Sequence, residues 1–272
     1  MISAKRFALS EPELFKASRD FILSFAEVPD PVVFISSKAK TLHSKISWTL
    51  LGSALFQDIH YENMVRLLCA LYKAYPEERL WTIPVPKEEE LLEVTDQVMP
   101  GISWNLRESL PGIFWSVGNF VRHHHSDLVL WVSERNAEEI WRDLGEIYFM
   151  GKGKSRPKAI ATIYRLTEKA PRGLGIALKP SHKKTPLPLS MGMRRYMSIL
   201  GPGKYVKFSE LDAEEKQKVA HQMYEELTPE NPAIAAHGLQ FFLEKKSMEF
   251  ICRDHFKTCD KCPLYKFCRH AL

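Results

Sequence analysis

The chain has 272 residues, of which 45% are hydrophobic and 26% charged, and its formal net charge is +5. That balance belongs to a folded globular protein with length for one large or two small domains, and it excludes a repetitive, fibrous or wholly disordered polymer. No apolar run reaches the length of a membrane span and the first residues carry no apolar signal core, so the expectation is a protein without membrane partners in a reducing compartment, cytoplasmic near the nucleoid or nuclear.

In chain order, the first apolar run is Val32-Val33-Phe34-Ile35, which suits a short strand. Met64, Leu67, Leu68, Leu71, Tyr72 and Tyr75 then recur at i, i+3, i+4 and i+7, the signature of one buried helix face, and Pro76 ends it. Cys69 within that pattern reads as a buried core thiol. His123, His124 and His125 are consecutive, so their rings point in different directions from a helix, and they read as a basic or core-edge patch rather than a metal site. Leu128 to Val132 fits either a strand or a buried helix.

Asn136, with Glu139 three residues later, marks a capped helix running to Phe149. The turn Gly151-Lys152-Gly153 follows, and a second helix from about Ser155 carries Ala159, Ile160, Ile163, Tyr164 and Leu166. Glycines permit positive φ and let a phosphate approach the backbone amides, while the next helix N-terminus adds a favourable dipole. From Gly151 to Lys207 there are fourteen basic residues and one acid, Glu168, so the rest of the chain is net acidic. Such a stretch reads as a surface for a polyanion, and nucleic acid is the commonest one. Ala170 to Leu189, rich in Pro, Gly, Lys and Ser, reads as a long exposed loop. Ser209 with Asp212 caps a third helix with Val219, Met223 and Leu227, and Asn231-Pro232 starts a fourth that leads through Phe241 and Phe242 to the C-terminus.

Four of the five cysteines, Cys252, Cys259, Cys262 and Cys268, close the chain in the spacing Cys-x6-Cys-x2-Cys-x5-Cys. Loops this short bring their sulfurs to a common centre or to each other. A tetrahedral thiolate set suits zinc or a cubane iron–sulfur cluster, and zinc sites usually have two Cys-x2-Cys knuckles where this chain has one. A zinc knuckle or a disulfide pair is the competing reading.

The 6, 2, 5 spacing resembles the C-terminal iron–sulfur loop of the endonuclease III superfamily of helix-hairpin-helix DNA glycosylases, where it holds a [4Fe-4S] cluster. The resemblance covers roughly Ser47 to the C-terminus. It implies that the four cysteines ligate such a cluster and that Lys257, Lys261, Lys266 and Arg269 form a basic knob for the phosphate backbone. Gly151-Lys152-Gly153 is similar to the superfamily's hairpin turn, although an apolar residue usually stands where Lys152 is. Leu187 to Tyr196, followed by Leu200-Gly201, resembles the segment Pro-Val-Asp-x-His-x-x-Arg. There Ser190 takes the place of the aspartate that assists departure of the base, Gly192 takes the histidine position, and Arg195 matches. The Schiff-base lysine of bifunctional members falls at Ser155, with Lys154 or Lys158 as substitutes if the helix start shifts. Leu51 to Asp58 resembles the early helix whose glutamine probes the space left by a flipped base, which points to Gln57.

The resulting expectation is a mostly α protein with two helical subdomains and a cleft between them, a helix-hairpin-helix and a C-terminal [4Fe-4S] loop. Its segments would be an N-terminal extension (1–43), a helical subdomain (44–135), the hairpin and basic segment (136–207) and the C-terminal helices with the cluster loop (208–272). It would bind double-stranded DNA as a monomer, with DNA-processing proteins as further candidate partners. The DNA contacts would come from Gln57, Gly151, Lys152, Gly153, Lys154, Arg156, Lys158, Arg194, Arg195, Lys257 and Lys261. The activity implied is removal of a modified or mismatched base. A serine cannot carry negative charge at neutral pH, so Ser190 leaves that chemistry without its acid unless Asp127 or Glu134 replaces it. Two alternatives stand beside it: a DNA-binding protein that has lost catalysis, and a zinc-stabilised helical adaptor.

Overall fold

The computed structural model describes residues 7, 9–57, 59–77, 79–82, 86–100, 104–124, 127–151, 156–181, 187–200, 207–246 and 249–268. These form fourteen α-helices, three short 3-10 turns and one antiparallel ladder of two-residue strands, so the largely helical expectation holds. The chain divides into two compact units, Met1–Val28 with Leu187–Leu272, and Pro29–Pro186. Helix α1 (Pro12–Ser24) opens the first unit. The second holds α2 (Pro31–Ser36), α3 (Leu42–Leu55), α4 (Tyr61–Ala74), α5 (Glu88–Val98), α6 (Leu110–His123), α7 (Leu128–Ser133), α8 (Ala137–Asp143) and α9 (Pro157–Thr167). The chain then re-enters the first unit with α10 (Met191–Ile199), α11 (Ala213–Leu227), α12 (Pro232–Gln240), β1 (Lys245–Lys246), β2 (Glu249–Phe250), α13 (Ile251–Phe256) and α14 (Tyr265–Cys268).

In the second unit α3 is the axis. Every residue from Ile46 to Leu55 is buried, which requires a helix without a polar face. Two of its hydroxyls bond to its own backbone, Ser47 to the His43 carbonyl at 3.0 Å and Thr49 to the Lys45 carbonyl at 2.8 Å, whereas the buried Ser44 Oγ has no hydrogen-bond partner. Helices α2, α6, α7 and α9 pack around it. Gly52 sets the closeness of α2, because a Cβ there would come within 2.6 Å of the Val32 side chain.

Asp30 organises this unit at α2. Its Oδ1 accepts the backbone N–H of Val32 at 2.9 Å and of Val33 at 3.3 Å, capping the helix, and pairs with Arg165 Nε at 3.0 Å. Arg165 also donates to Ser53 Oγ at 3.2 Å and lies over the Phe56 ring. Both charged side chains are nearly sealed from water, 1% and 6% exposed, and each compensates the desolvation of the other. This cap explains why Val32 to Ile35 is a helix and not the expected strand: Asp30 followed by Pro31 is an N-cap and N1 pair, and it overrides a short β-branched run.

Other boundaries shift for local reasons. The Asn136–Glu139 capping box forms, but the helix that it starts stops at Asp143, six residues short of Phe149, and passes into a 3-10 turn at Leu144–Glu146. Gly145 sits in that turn because the Arg156 guanidinium occupies the space a side chain would need. Leu128 to Val132 is helical, and α11 is capped by Asp212 with Glu215, while Ser209 belongs to a preceding 3-10 turn. Cys69 is half-buried rather than buried. The Ala170–Leu189 stretch is not wholly exposed: Leu174, Ile176 and Leu178 alternate onto the core, and the Leu174 and Ile176 amides bond the Arg165 and Leu166 carbonyls.

The first unit is built on two close approaches and a set of aromatic rings. Helix α12, capped by Asn231 as expected, packs against α1, α10 and α11. Gly238 lies against the Ile22 backbone of α1, and Gly192 lies against the carbonyls of Leu239 and Gln240. Phe21 and Phe25 of α1 meet Phe241, Phe242 and Phe256, with Phe25 stacked on Phe241 at 4.9 Å and Phe21 edge-on to Phe242 at 5.9 Å. Helix α1 thereby contributes core to the unit that carries the cysteines.

Asp30→Ala removes both the α2 cap and the partner of Arg165. The expected loss is about 3–5 kcal/mol of unfolding free energy, the usual cost of leaving a buried charge unpaired. Denaturant unfolding checks it, and a loss below about 1 kcal/mol, the value of a cap alone, would mean that Arg165 finds another partner.

Candidate metal centre

The four C-terminal cysteines line one pocket together with Phe21, Phe242, Leu243, Arg253, Leu264 and Tyr265. Its volume is about 390 Å³ counted out to the open mouth. Each element delivers its thiol for a local reason. Cys252 sits in α13, where the β1–β2 ladder hands the chain over. Lys257, in the left-handed region at φ 62°, turns the chain at the end of α13 and sends it to Cys259 and Cys262, which flank the 3-10 turn Cys259–Lys261. Leu264, fully buried, anchors the loop, and α14 ends on Cys268.

All five cysteines are free, so the disulfide reading has no support in the structure. No group of three or more His, Cys, Asp or Glu side chains among the described residues is arranged to hold a metal ion. What the thiols share is a pocket. Four thiols with the apolar walls of Phe21, Phe242 and Leu264 are a donor set that either a zinc ion or a cubane cluster would take.

Electrostatics mark the thiols as a set. Burial, the larger cause, and the neighbouring cysteines push Cys262 up to about 11 and Cys268 up to about 12. Cys252 is raised for the same main reason, against a backbone hydrogen bond from Leu243 that favours its thiolate. These three thiols favour the neutral form, and a bound metal would reverse that preference by deprotonating its thiol ligands.

Arg253 lines the pocket, and in the same loop Lys257 and Lys261 are exposed together with Asp254 and Asp260. Lys266 is not equivalent to them, because it is paired at 2.6 Å with Glu13 of α1. Arg269 lies outside the described residues, as do Lys152, Gly153, Lys154, Ser155 and His125.

The remaining candidate residues fall in distinct surroundings. Gly151 adopts φ 102°, a conformation that favours glycine, and α9 packs on α8. Arg156 is not directed outward: its guanidinium donates to the carbonyls of Trp141 at 3.1 Å and Arg142 at 3.3 Å and covers the Trp141 ring, closing the C-terminal end of α8. Lys158 Nζ donates to the Ala54 carbonyl at 2.6 Å, across 104 positions of sequence. That bond places its amine at the C-terminal end of α3, three residues before the exposed Gln57, whose carbonyl is fixed by Trp104 Nε1 at 2.9 Å. The fold thus gathers two candidates that the sequence lists far apart.

Ser190 caps α10, its Oγ accepting the Met193 N–H at 3.1 Å. Arg194 is exposed, and Arg195 donates to the carbonyl of Leu243, a pocket-lining residue at φ 50°. Asp127 and Glu134 belong to the other unit, at the two ends of α7. Of the histidines, His124 rests on Phe120 and Trp131, and burial lowers its pKa, in keeping with a core-edge patch.

The sequence did not single out Phe21, Phe242, Leu243 or Arg253. Arg253 was signalled by its place beside Cys252, whereas nothing about a leucine announces a left-handed backbone.

Comparison with known proteins finds no matching family model, no matching curated protein and no matching solved structure.

Two outcomes test this geometry. Gly192→Ala should cost about 1–3 kcal/mol or more, the penalty of overpacking, because a Cβ would overlap two backbone carbonyls. Equal melting temperatures of variant and parent would refute the close α10–α12 crossing. Raised thiol pKa values stabilise the metal-free fold below the unfolded thiol value of about 8.5, and that contribution is lost as pH rises towards 11 and 12. Metal-free protein should therefore lose stability between about pH 8.5 and 11, and Cys268→Ser should flatten the slope. An unchanged slope would place Cys268 in water.

Proposed function

We propose that this chain is a DNA-binding protein of the base-excision-repair type, similar to the helix-hairpin-helix iron–sulfur DNA glycosylases, with Cys252, Cys259, Cys262 and Cys268 holding a [4Fe-4S] cluster. The observation that carries the reading is one apolar-walled pocket lined by all four thiols, in a loop where Arg253, Lys257 and Lys261 are exposed against two exposed acids, Asp254 and Asp260. The cluster would cross-link a loop too short to have its own core, and four protein ligands leave no iron open to substrate. Its basic rim would meet phosphates, each of which releases counterions when neutralised.

Two features of the second unit support the same partner. Gly151, at φ 102°, holds a backbone conformation that favours glycine, and Lys158 Nζ lies at the Ala54 carbonyl, three residues before the exposed Gln57. Arg156 and Arg165 take no part in this face, since both guanidinium groups are engaged inside the unit. As an enzyme the protein would hydrolyse the N-glycosidic bond of an extruded modified or mismatched nucleotide, an extrusion costing a few kcal/mol and less at a damaged or mispaired base.

A second reading, recognition of DNA without base release, is favoured by the α10 segment. Ser190 uses its hydroxyl as a helix cap, and Gly192 has no room for any side chain, let alone a histidine. The third, a zinc-stabilised adaptor, shares the cysteines but makes no use of the basic rim.

Protein prepared anaerobically should contain about four irons per chain and absorb in the visible region. Its duplex affinity should fall steeply with salt, and Lys257→Glu combined with Lys261→Glu should lower the log–log slope by about 2. Ser190→Asp preserves the cap, because aspartate and serine are comparable there. Base release gained by that variant, from a parent that binds but releases nothing, selects the second reading. Iron-free protein with no DNA affinity in dilute salt would defeat the first two.

A further inference from the structure

Two arginines stand side by side on α10 in different surroundings. Arg194 is exposed, whereas Arg195 is half-buried and its guanidinium donates to the carbonyl of Leu243. Leu243 is buried, lines the cysteine pocket and holds φ 50°. A leucine rarely takes that left-handed conformation, because its Cβ crowds the neighbouring backbone, so its surroundings must hold it there. The Arg195 bond is one such hold, made across 48 positions of sequence.

The amide of Leu243 faces the cysteines. In the β1–β2 ladder Lys246 pairs with Glu249 and Lys245 with Phe250, and the Ile251 N–H then donates to the Glu244 carbonyl at 2.7 Å. The same register carried one step further sets Leu243 opposite Cys252. There the Leu243 N–H donates to the Cys252 sulfur. One residue thus has its carbonyl on a cation from α10 and its amide on a thiol of the candidate metal site. Its two backbone dihedrals set the angle between those groups, so fixing the carbonyl also fixes where the amide points.

Metal ligands are oriented by the groups that hydrogen-bond to them, and an N–H donor steadies a sulfur ligand in place. We infer that Arg195 is a positioning residue of the cysteine centre, which holds Leu243 left-handed so that its amide stays on the Cys252 sulfur. The assignment rests on the reading of Cys252, Cys259, Cys262 and Cys268 as metal ligands, and it goes beyond that reading by taking Arg195 out of the DNA-facing set. It requires no particular metal, since zinc and a cubane cluster both bind through thiolates.

The test follows loss of bound metal to excess EDTA from the anaerobically purified full chain, by elemental analysis over time. Arg195→Ala should release metal about tenfold to a hundredfold faster than the parent, the scale on which such partners act on metal affinity. Arg195→Lys, which keeps a cationic donor, should recover most of the difference. Should Arg195→Ala fail to fold, Arg195→Met, which keeps the bulk and loses the donor, carries the same comparison. Glycine takes positive φ readily, so Leu243→Gly lessens the need for the hold. Arg195→Ala should therefore speed release less in the Leu243→Gly background than in the parent, a coupling that a plain packing role for Arg195 would not produce. Equal release by parent and Arg195→Ala, or equal acceleration in the two backgrounds, overturns the assignment. So does an Arg195→Ala variant that keeps its metal while the salt slope of its DNA binding falls by about 1, the mark of a phosphate contact. A parent that holds no metal defeats the cysteine reading and this one with it, whereas a metal-loaded parent indifferent to Arg195 defeats this one alone.

Discussion

Four thiols in a loop without a core of its own constrain everything around them. Burial makes Cys252, Cys262 and Cys268 costly as thiolates, so in the absence of a cation the loop depends on what it rests on. It rests on aromatic rings. Phe21 and Phe242 wall the pocket, Phe256 and His255 lie against Phe25, and Phe25 stacks on Phe241. The N-terminal helix is thereby part of the cysteine site, and the Glu13–Lys266 pair adds a second, solvent-exposed tie between the two ends of the chain.

The unit Pro29–Pro186 follows another logic. A buried helix gains from having its polar groups satisfied internally, and α3 achieves this at Ser47 and Thr49, bonded to its own backbone, and at Ser53, bonded to Arg165, but not at Ser44. Arg165 can be buried only because Asp30 is, and Asp30 is fixed by capping α2. Lys158 closes the same region at the end of α3, where a cation suits the helix dipole. A residue proposed to face DNA thus also has a structural task, and substitution there would mix the two.

The two readings of α10 meet at one steric fact. Gly192 lets α10 approach the carbonyls of α12, so a side chain of any size there would disturb the packing of this unit. Ser190 caps the same helix, a role that aspartate would serve equally.

The sequence by itself determined what depends on neighbours in the chain. The periodic face of α4, the capping pair Asn136–Glu139, the Asn231-Pro232 start and the cysteine spacing were all legible, because each is a relation among residues a few positions apart. The strand expected at Val32 to Ile35 failed where a local cap, Asp30-Pro31, outweighed β-propensity. Tertiary structure alone decided which cations face water. Arg156, Arg165 and Arg172 count towards a basic stretch in sequence, yet Arg165 and Arg172 are buried and Arg156 closes a helix end. It also decided that Trp115 and Tyr148 are exposed while Trp48 and Trp131 are not. Burial is set by residues distant in the chain, and composition carries no record of which partners arrive.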